Sequence, residues 1–304
     1  MSTHLHLHSS YSDRDGMIKP EALVEKCLEL GFSAACITDH GNLRMAPHLW
    51  RATEGKIKRI LGCEMYLAPN SRHERKTEKP VKNIRGYHIV LLAKNENGWK
   101  NLSKLATISE LDGFYYNPRI DWELLDSELG DDLIVMSACM KGEIPQALIR
   151  EEGEEAEEVF GRALNITSRY QKRFGDNFFL EIQAHECPGQ KELNEWIVEL
   201  AKVKDIPLVA TTDAHFLESK SYRAHQALIC LARGTNLKAL KASGEELYGP
   251  WFYLQTPDEM AQYLPEAVSY EATMNSDLIA NMIEEYSIGL NSKKLHLVKY
   301  KESE

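Results

Sequence analysis

At 304 residues, with 43% hydrophobic and 9% aromatic content, the chain can bury the core of one large α/β domain or two smaller ones. Its formal charge of −10 argues against binding duplex DNA through a mainly basic surface, while leaving room for a locally positive site and for bound cations. No apolar run approaches the roughly 18 residues of a membrane span, and no charged-then-apolar leader is present, so a cytoplasmic protein without a membrane partner is expected.

The chain opens with HLHLH, residues 4–8. An extended backbone would put His4, His6 and His8 on one face and Leu5 and Leu7 on the other. A helical pattern covers 20–30, with Pro20 suited to a first helical position and Gly31 to a stop. Strands are then expected at 34–38 (AACIT), 58–67 (KRILGCEMYL), 87–93 (YHIVLLA), 132–137 (DLIVMS), 177–183 (NFFLEIQ) and 207–212 (PLVATT), interleaved with helical patterns at 97–111, 152–173 and 190–203. With residues 4–8 this makes seven near-continuous strands in βα alternation, which predicts a parallel sheet, closed as a barrel or open and doubly wound.

Three segments break the rhythm. Residues 70–86 carry six Lys or Arg against two Glu, and read either as a solvated surface loop or as a guide for a phosphate backbone near a site mouth. The acidic stretch 150–161 reads as a helix start whose first turn favours negative charge. From about 235 the alternation gives way to FYLQTPDEM and a final helix near 270–286, so a barrel domain is expected over 1–234 and a C-terminal extension or connector packed on it over 235–304.

Potential metal ligands fall in a pattern. His6 and His8 lie on the first strand, Asp15 in the turn after it, Asp39 and His40 directly past AACIT, and Glu64 inside an apolar strand. His88 opens YHIVLLA, Cys139 follows LIVMSA, and Asp213 and His215 follow LVATT. Taken singly each has a bland reading: polar alternation in a half-exposed strand, an ordinary Asp-Gly turn, a core thiol. Together they sit at or just past strand C-termini, the face where parallel α/β folds place their sites. Glu64 in its apolar run also demands a partner, and a cation is one. His4 reads as a support for this cluster or as exposed, and His185 as a substrate or supporting residue. His48, His73, His225 and His296 read as structural or surface. The six cysteines are scattered as reduced thiols, and no GxGxxG, Walker-type loop or nucleophile elbow is present in a persuasive context.

The stretches HLHLHSSYSDRDG, ITDHGNL, ILGCEMYLAP, GYHIVLLAKNENGWKNL, DGFYYNPRID, MSACMKGEIPQAL, FFLEIQAH and VATTDAHF closely resemble the PHP (polymerase and histidinol phosphatase) domain, in the form found at the N-terminus of bacterial DNA polymerase III alpha subunits. The resemblance runs over roughly residues 3–290, and GFYYNPRI and the SRHERK loop favour the polymerase branch over histidinol phosphatase. It implies a distorted (β/α)7 TIM-like barrel, the PHP fold, with a short C-terminal helical extension. It also implies up to three metal ions held by His6, His8, Asp15, His40, Glu64, His88, Cys139, Asp213 and His215. Asp15 stands where many relatives have a further histidine, Cys139 replaces a histidine common elsewhere, Glu64 would bridge two ions, and Asp39 would orient His40.

Imidazole, carboxylate and thiolate together suit Zn2+, Mn2+ or Fe better than Mg2+, and Cys139 leans towards zinc. Two or three such ions imply phosphoester hydrolysis by acidified water, with Asp39, Asp213 and His215 in the catalytic group. The leading expectation is a 3′–5′ exonuclease of proofreading type on single-stranded DNA or a primer 3′ end, beside the polymerase palm region and other replisome subunits. Two other readings stay open: a catalytically silent metal-binding module, and a small-molecule phosphomonoesterase. The chain is expected to be either an excised N-terminal domain or a free-standing relative.

Overall fold

The computed structural model describes residues 2–13, 15–75, 82–243 and 248–290; the centre of the basic segment, His296 and the tail from 291 lie outside them. The strands are β1 (Ala34–Ile37), β2 (Lys58–Leu67), β3 (Tyr87–Ala93), β4 (Arg119–Ile120), β5 (Leu133–Met136), β6 (Phe178–Gln183) and β7 (Leu208–Thr211). They pair in the order β1-β2-β3-β5-β6-β7, with β4 joined to β2 off that path. Residues 4–8 lie between the two outer strands of this order. Leu7 O accepts from Thr38 N at 3.1 Å just past β1, while His8 N donates to Ala214 O at 2.7 Å just past β7. The sheet thereby curls into a distorted barrel.

Two expectations are corrected here. Residues 4–8 form one bridge, Leu7 to Ala214, but no regular strand, because part of their backbone bonding goes to side chains: Leu7 N donates to Thr38 Oγ1 and Leu5 O accepts from Cys36 Sγ. The sheet is also not wholly parallel, since β3 runs antiparallel to both β2 and β5. A parallel return needs a crossover of a dozen or more residues, usually helical, and the described residues between β2 and β3 hold no helix. The chain turns round instead. Strand β4, two residues long, is too short to show a period in sequence.

Period-two alternation sorts the side chains between two cores. Ile89, Leu91, Leu133, Val135, Phe178, Leu180 and Ile182 face outward into the layer of helices. Val90, Leu92, Ile134, Met136, Phe179 and Val209 point the other way, into the barrel, and belong to the second cluster. Glu64, paired in register with Val90, and Glu181, two residues beyond Phe179, fall on the interior face by the same count. The barrel is therefore plugged with hydrocarbon at one end and with polar groups at the other.

The helices Pro20–Glu29, Glu96–Leu111 and Gln190–Lys204 fall where periodicity predicts them, and Pro20 sits in the first turn of its helix, where a missing N–H leaves nothing unsatisfied. Helix Ala156–Phe174 begins within the acidic stretch 150–161, with Glu157 and Glu158 in its first turn as expected, and the last helix is Glu266–Met282 rather than 270–286. This final helix covers the N-terminal stave: Thr3 N donates to Ser276 Oγ at 3.0 Å, and Ile279 and Ala280 share a hydrophobic cluster with Leu5 and Leu7. Among the described residues, no helix is long and apolar enough to cross a membrane.

Candidate metal centre

The polar end of the barrel is built by turns that follow the strands. After His8 the chain reverses tightly, and Gly16 is required there, because a Cβ would lie 2.2 Å from Ser9 O. Gly41, at φ +59, lets the TDHG turn pass Pro118, whose Cγ would be 2.6 Å from an added Cβ. Past β5 and β7 the turns use left-handed non-glycine residues, Ala138 at φ +63 and Asp213 at φ +49, and they swing Cys139, Asp213 and His215 inward. Such backbones persist where the surroundings impose them, characteristically at functional sites. His88 reaches the same end because β3 is reversed: its first residues, not its last, lie at the mouth.

Glu64 is the hub. Its Oε1 lies 2.6 Å from His88 Nδ1 and 3.3 Å from His6 Nε2, and its Oε2 lies 2.6 Å from His40 Nδ1 and 3.4 Å from His8 Nε2. Asp213 Oδ1 lies 3.0 Å from His8 Nε2 and 3.3 Å from His6 Nε2, while Asp15 Oδ2 lies 3.1 Å from His40 Nε2 and 3.5 Å from His215 Nε2. Cys139 Sγ joins from the rim, 3.5 Å from His88 Nδ1 and 3.7 Å from Glu64 Oε1. Three sets of donor atoms are spaced to share an ion: His8/His40/His215, His6/His8/Glu64 and His40/Glu64/His88. Glu64 belongs to two of them.

The fit to metal rests on atoms left over. His6 Nε2, His8 Nε2, His40 Nδ1, His215 Nε2, Glu64 Oε2, Asp15 Oδ1 and Asp213 Oδ1 are buried without a hydrogen-bond partner. His40 Nδ1 and Glu64 Oε2, only 2.6 Å apart, are out of line for a hydrogen bond. Buried polar atoms are normally satisfied, so a cluster of unsatisfied ones facing one another needs a third party. The far nitrogens of three of these rings are occupied. His6 Nδ1 meets Glu181 Oε1 at 2.7 Å, His215 Nδ1 meets Asp213 O at 2.7 Å, and His8 Nδ1 meets Ser12 Oγ at 3.1 Å. Holding Nδ1 in this way leaves Nε2 bare and aimed, the arrangement that orients metal-binding imidazoles.

The electrostatics agree. Burial opposes ionisation of Glu64, Asp213 and Asp15, yet the surrounding imidazoles hold all three well below the usual carboxylate range. Burial likewise opposes charge on His40, but Glu64 and Asp15 lift it to about 10; Glu181, Asp213 and Glu64 raise His6, and Asp15 and Asp213 raise His215. His8 is driven the other way, to about 3, by burial and by the positive neighbours His40 and His215. Protons on imidazole thus supply the compensation that a cation would supply.

The structure brings His6, His8, Asp15, His40, Glu64, His88, Cys139, Asp213 and His215 together, but it holds Asp39 away from them. The Asp39 carboxylate accepts from Ser9 N, Ser9 Oγ and Ser12 Oγ, each at 2.7 Å, and Ser12 Oγ in turn meets His8 Nδ1 and accepts from His40 N, each at 3.1 Å, so Asp39 steadies the His8 ring and the His40 backbone through Ser12 without touching the His40 ring. His4 is buried between Gln255 O and Thr212 Oγ1, and His225 is buried against Asp15 O. His185 bonds Gln183 Oε1 beside the cluster. Sequence reasoning missed Glu181, although it shows the same signal as Glu64, a carboxylate inside an apolar strand. It also missed Tyr248, whose hydroxyl donates to Asp15 Oδ2 at 3.2 Å from a stretch without periodicity.

Comparison with known proteins places this geometry. The family model described as PHP domain matches residues 4–185. The chain is 39% identical to DNA polymerase III subunit alpha of Aquifex aeolicus over 254 residues, covering 81% of this chain and 21% of that protein. The protein of the same name from Treponema pallidum is 38% identical, over 86% of this chain and 22% of its own length, and that from Thermus aquaticus is 38% identical, over 87% and 21%. The chain thus spans about a fifth of the length of the curated relatives it matches. Among solved structures, an amidohydrolase from Chromobacterium violaceum superposes with a TM-score of 0.35 at 14% identity, over 71% of this chain and 88% of that one. With more than half of its length matched by that family model, the chain belongs to the PHP domain family.

Proposed function

We propose that this chain is a metal-dependent phosphoesterase acting on DNA, a 3′–5′ exonuclease of proofreading type. The observation that carries the reading is the set of buried, unpartnered donor atoms around Glu64. His6, His8, Asp15, His40, Glu64, His88, Cys139, Asp213 and His215 would hold two or three divalent ions of the Zn2+, Mn2+ or Fe kind. Bound there, the ions supply Lewis acidity, which acidifies water and neutralises charge developing on a phosphoryl group. The chain's own residues do the remainder. Glu181, Ser12 and the carbonyl of Asp213 fix three imidazoles in one tautomer, and the Asp15 carboxylate accepts a hydrogen bond from the Tyr248 hydroxyl at the mouth. Lys141, on the rim of the groove beside His40 and His88, is positioned for a phosphate oxygen. DNA as substrate is supported by the relatives named DNA polymerase III subunit alpha, and the polymerase palm region and other replisome subunits are the partners this suggests.

The test is elemental analysis of bound metal, followed by digestion of 5′-labelled single-stranded and mismatched primer DNA with Mn2+ or Zn2+. A ladder shortening from the 3′ end, absent in His8→Ala and Asp213→Asn, is expected. Metal without turnover would instead indicate a structural module, and release of phosphate from monoesters alone a phosphomonoesterase.

A further inference from the structure

The cluster opens into a groove of about 1240 Å³ that runs from His40 and His88 to Arg85, Tyr116 and Lys141. That exceeds the roughly 300–1,000 Å³ typical of small-ligand pockets, and suits an extended substrate. On its wall Tyr116 is 60% exposed and holds φ +63, a left-handed backbone that an aromatic residue keeps only when its surroundings enforce it. The enforcement is visible. Arg119, wholly buried, donates to the carbonyls of Gly113, Ile84, Arg72 and Glu74, Asn117 Nδ2 donates to Arg85 O, and Tyr115 N donates to Asn117 O. A solvent-facing aromatic is thus held rigid by a braced loop, although it contributes little to the core.

The chemistry around it is that of a single strand. The Arg85 guanidinium lies 4.7 Å from the Tyr116 ring centroid, backing one side of the ring. Arg44 in the same groove is already neutralised by Asp13 at 2.7 Å, whereas Arg85 and Lys141 make no ion pair among the described residues. The lining as a whole is balanced, with Asp15 and Glu110 also on it, but the two cations without an ion pair, Arg85 and Lys141, stand with the Tyr116 ring, and cations beside a stacking surface are how single-stranded nucleic acid is held without sequence preference.

We propose that Tyr116, backed by Arg85, is a base-stacking platform for single-stranded DNA whose scissile phosphate lies at the Glu64 cluster, with Arg85 and Lys141 taking flanking phosphates. The inference rests on the phosphoesterase reading and adds the residues that select a polymer over a small ester.

The experiment measures fluorescence anisotropy of a fluorescein-labelled phosphorothioate oligothymidylate, whose linkages resist hydrolysis, with the full chain in the presence of Mn2+. Tyr116→Ala should weaken binding by roughly 5- to 150-fold, the loss of one stacked base, while Tyr116→Trp retains it. Tyr116→Asn, which tolerates the left-handed backbone, serves if the alanine variant unfolds, and thermal unfolding checks each protein. Unchanged affinity in Tyr116→Ala overturns the platform, and leaves the exposed ring to a protein partner. Equal loss in Tyr116→Ala and Tyr116→Trp also overturns it, because shape rather than stacking would then be at work. A wild-type chain that takes up metal but binds no oligonucleotide sinks the DNA reading itself, and the platform with it.

Discussion

Replacing Glu181 by glutamine changes one buried oxygen to an amide nitrogen and removes the charge behind His6. Glu181 Oε1 accepts from His6 Nδ1 at 2.7 Å, from Thr211 Oγ1 at 2.5 Å and from Gln183 Nε2 at 3.2 Å, while its Oε2 is buried without a partner. The glutamine oxygen can keep the bond to His6, but a charge-assisted bond becomes a neutral one, worth about 1 kcal/mol less. Its amide then occupies the Oε2 position as a buried donor with nothing to meet, a further ~1–3 kcal/mol of stability. Because His6 is gripped from behind by this carboxylate, metal affinity should fall about 10- to 100-fold, as when other supporting partners of metal-binding imidazoles are removed. Calorimetric titration of Mn2+ into metal-stripped wild type and Glu181→Gln measures that change, and urea unfolding measures the stability. The decisive comparison repeats the substitution in a His6→Ala background. If Glu181→Gln lowers affinity as much there as in the wild type, it does not act through His6 and the reasoning is wrong.

Asp39→Ala strands Ser9 N–H and the hydroxyls of Ser9 and Ser12, and should lower the unfolding free energy by about 3 kcal/mol; a loss under 1 kcal/mol by urea titration would contradict the buried network. Arg119→Met removes the donors that tie together four carbonyls, so a destabilisation of about 2–4 kcal/mol is expected, with faster amide exchange at 113–117 than at the strands. Metal uptake should be proton-linked: His40 is raised to about 10, so an ion must displace its proton below that pH. Apparent affinity then rises with pH, about tenfold per unit for each proton released, and calorimetry in buffers of different ionisation enthalpy would detect the release. In the metal-free protein the same shift has the opposite sense. Protonated His40 stabilises the fold fully below its unfolded value of 6.5, and that contribution is lost as pH climbs towards about 10, a slope that His40→Ala should flatten.

The hydrophobic runs located most of the barrel because buried strands of four to ten residues show themselves by composition alone. Direction is another matter. Nothing within YHIVLLA says which way β3 runs; its sense goes with a connection from β2 whose described residues hold no helix. The HxH and TDHG stretches and Glu64 were legible as chemistry because polar groups in apolar strands or tight turns are conspicuous. Glu181 carries the same mark but is harder to single out, since FFLEIQ also reads as a strand with polar Glu181 and Gln183 alternating on one face. Adjacency suggests Asp39 as a partner for the His40 ring, yet consecutive residues in extended backbone point opposite ways; its carboxylate turns towards Ser9 and Ser12 and reaches only the His40 backbone, through the Ser12 hydroxyl. Tyr248 lies in a stretch without periodicity and could be found only in three dimensions.

The wedging of residues 4–8 between the first and last strands has a bearing on assembly. The bond from Thr3 to Ser276 spans 273 positions, and His4 meets Thr212 across 208. Contacts so distant along the chain return nothing until the entropy of closing the loop has been met, so they form late and slowly. During synthesis His6, His8 and Glu64 emerge well before Asp213 and His215, and their pocket stays incomplete until those two arrive. A ribosome that stalls before the seventh strand therefore leaves His6 and His8 with an unfinished pocket, and competence for metal becomes a signature of a chain that has closed its circle.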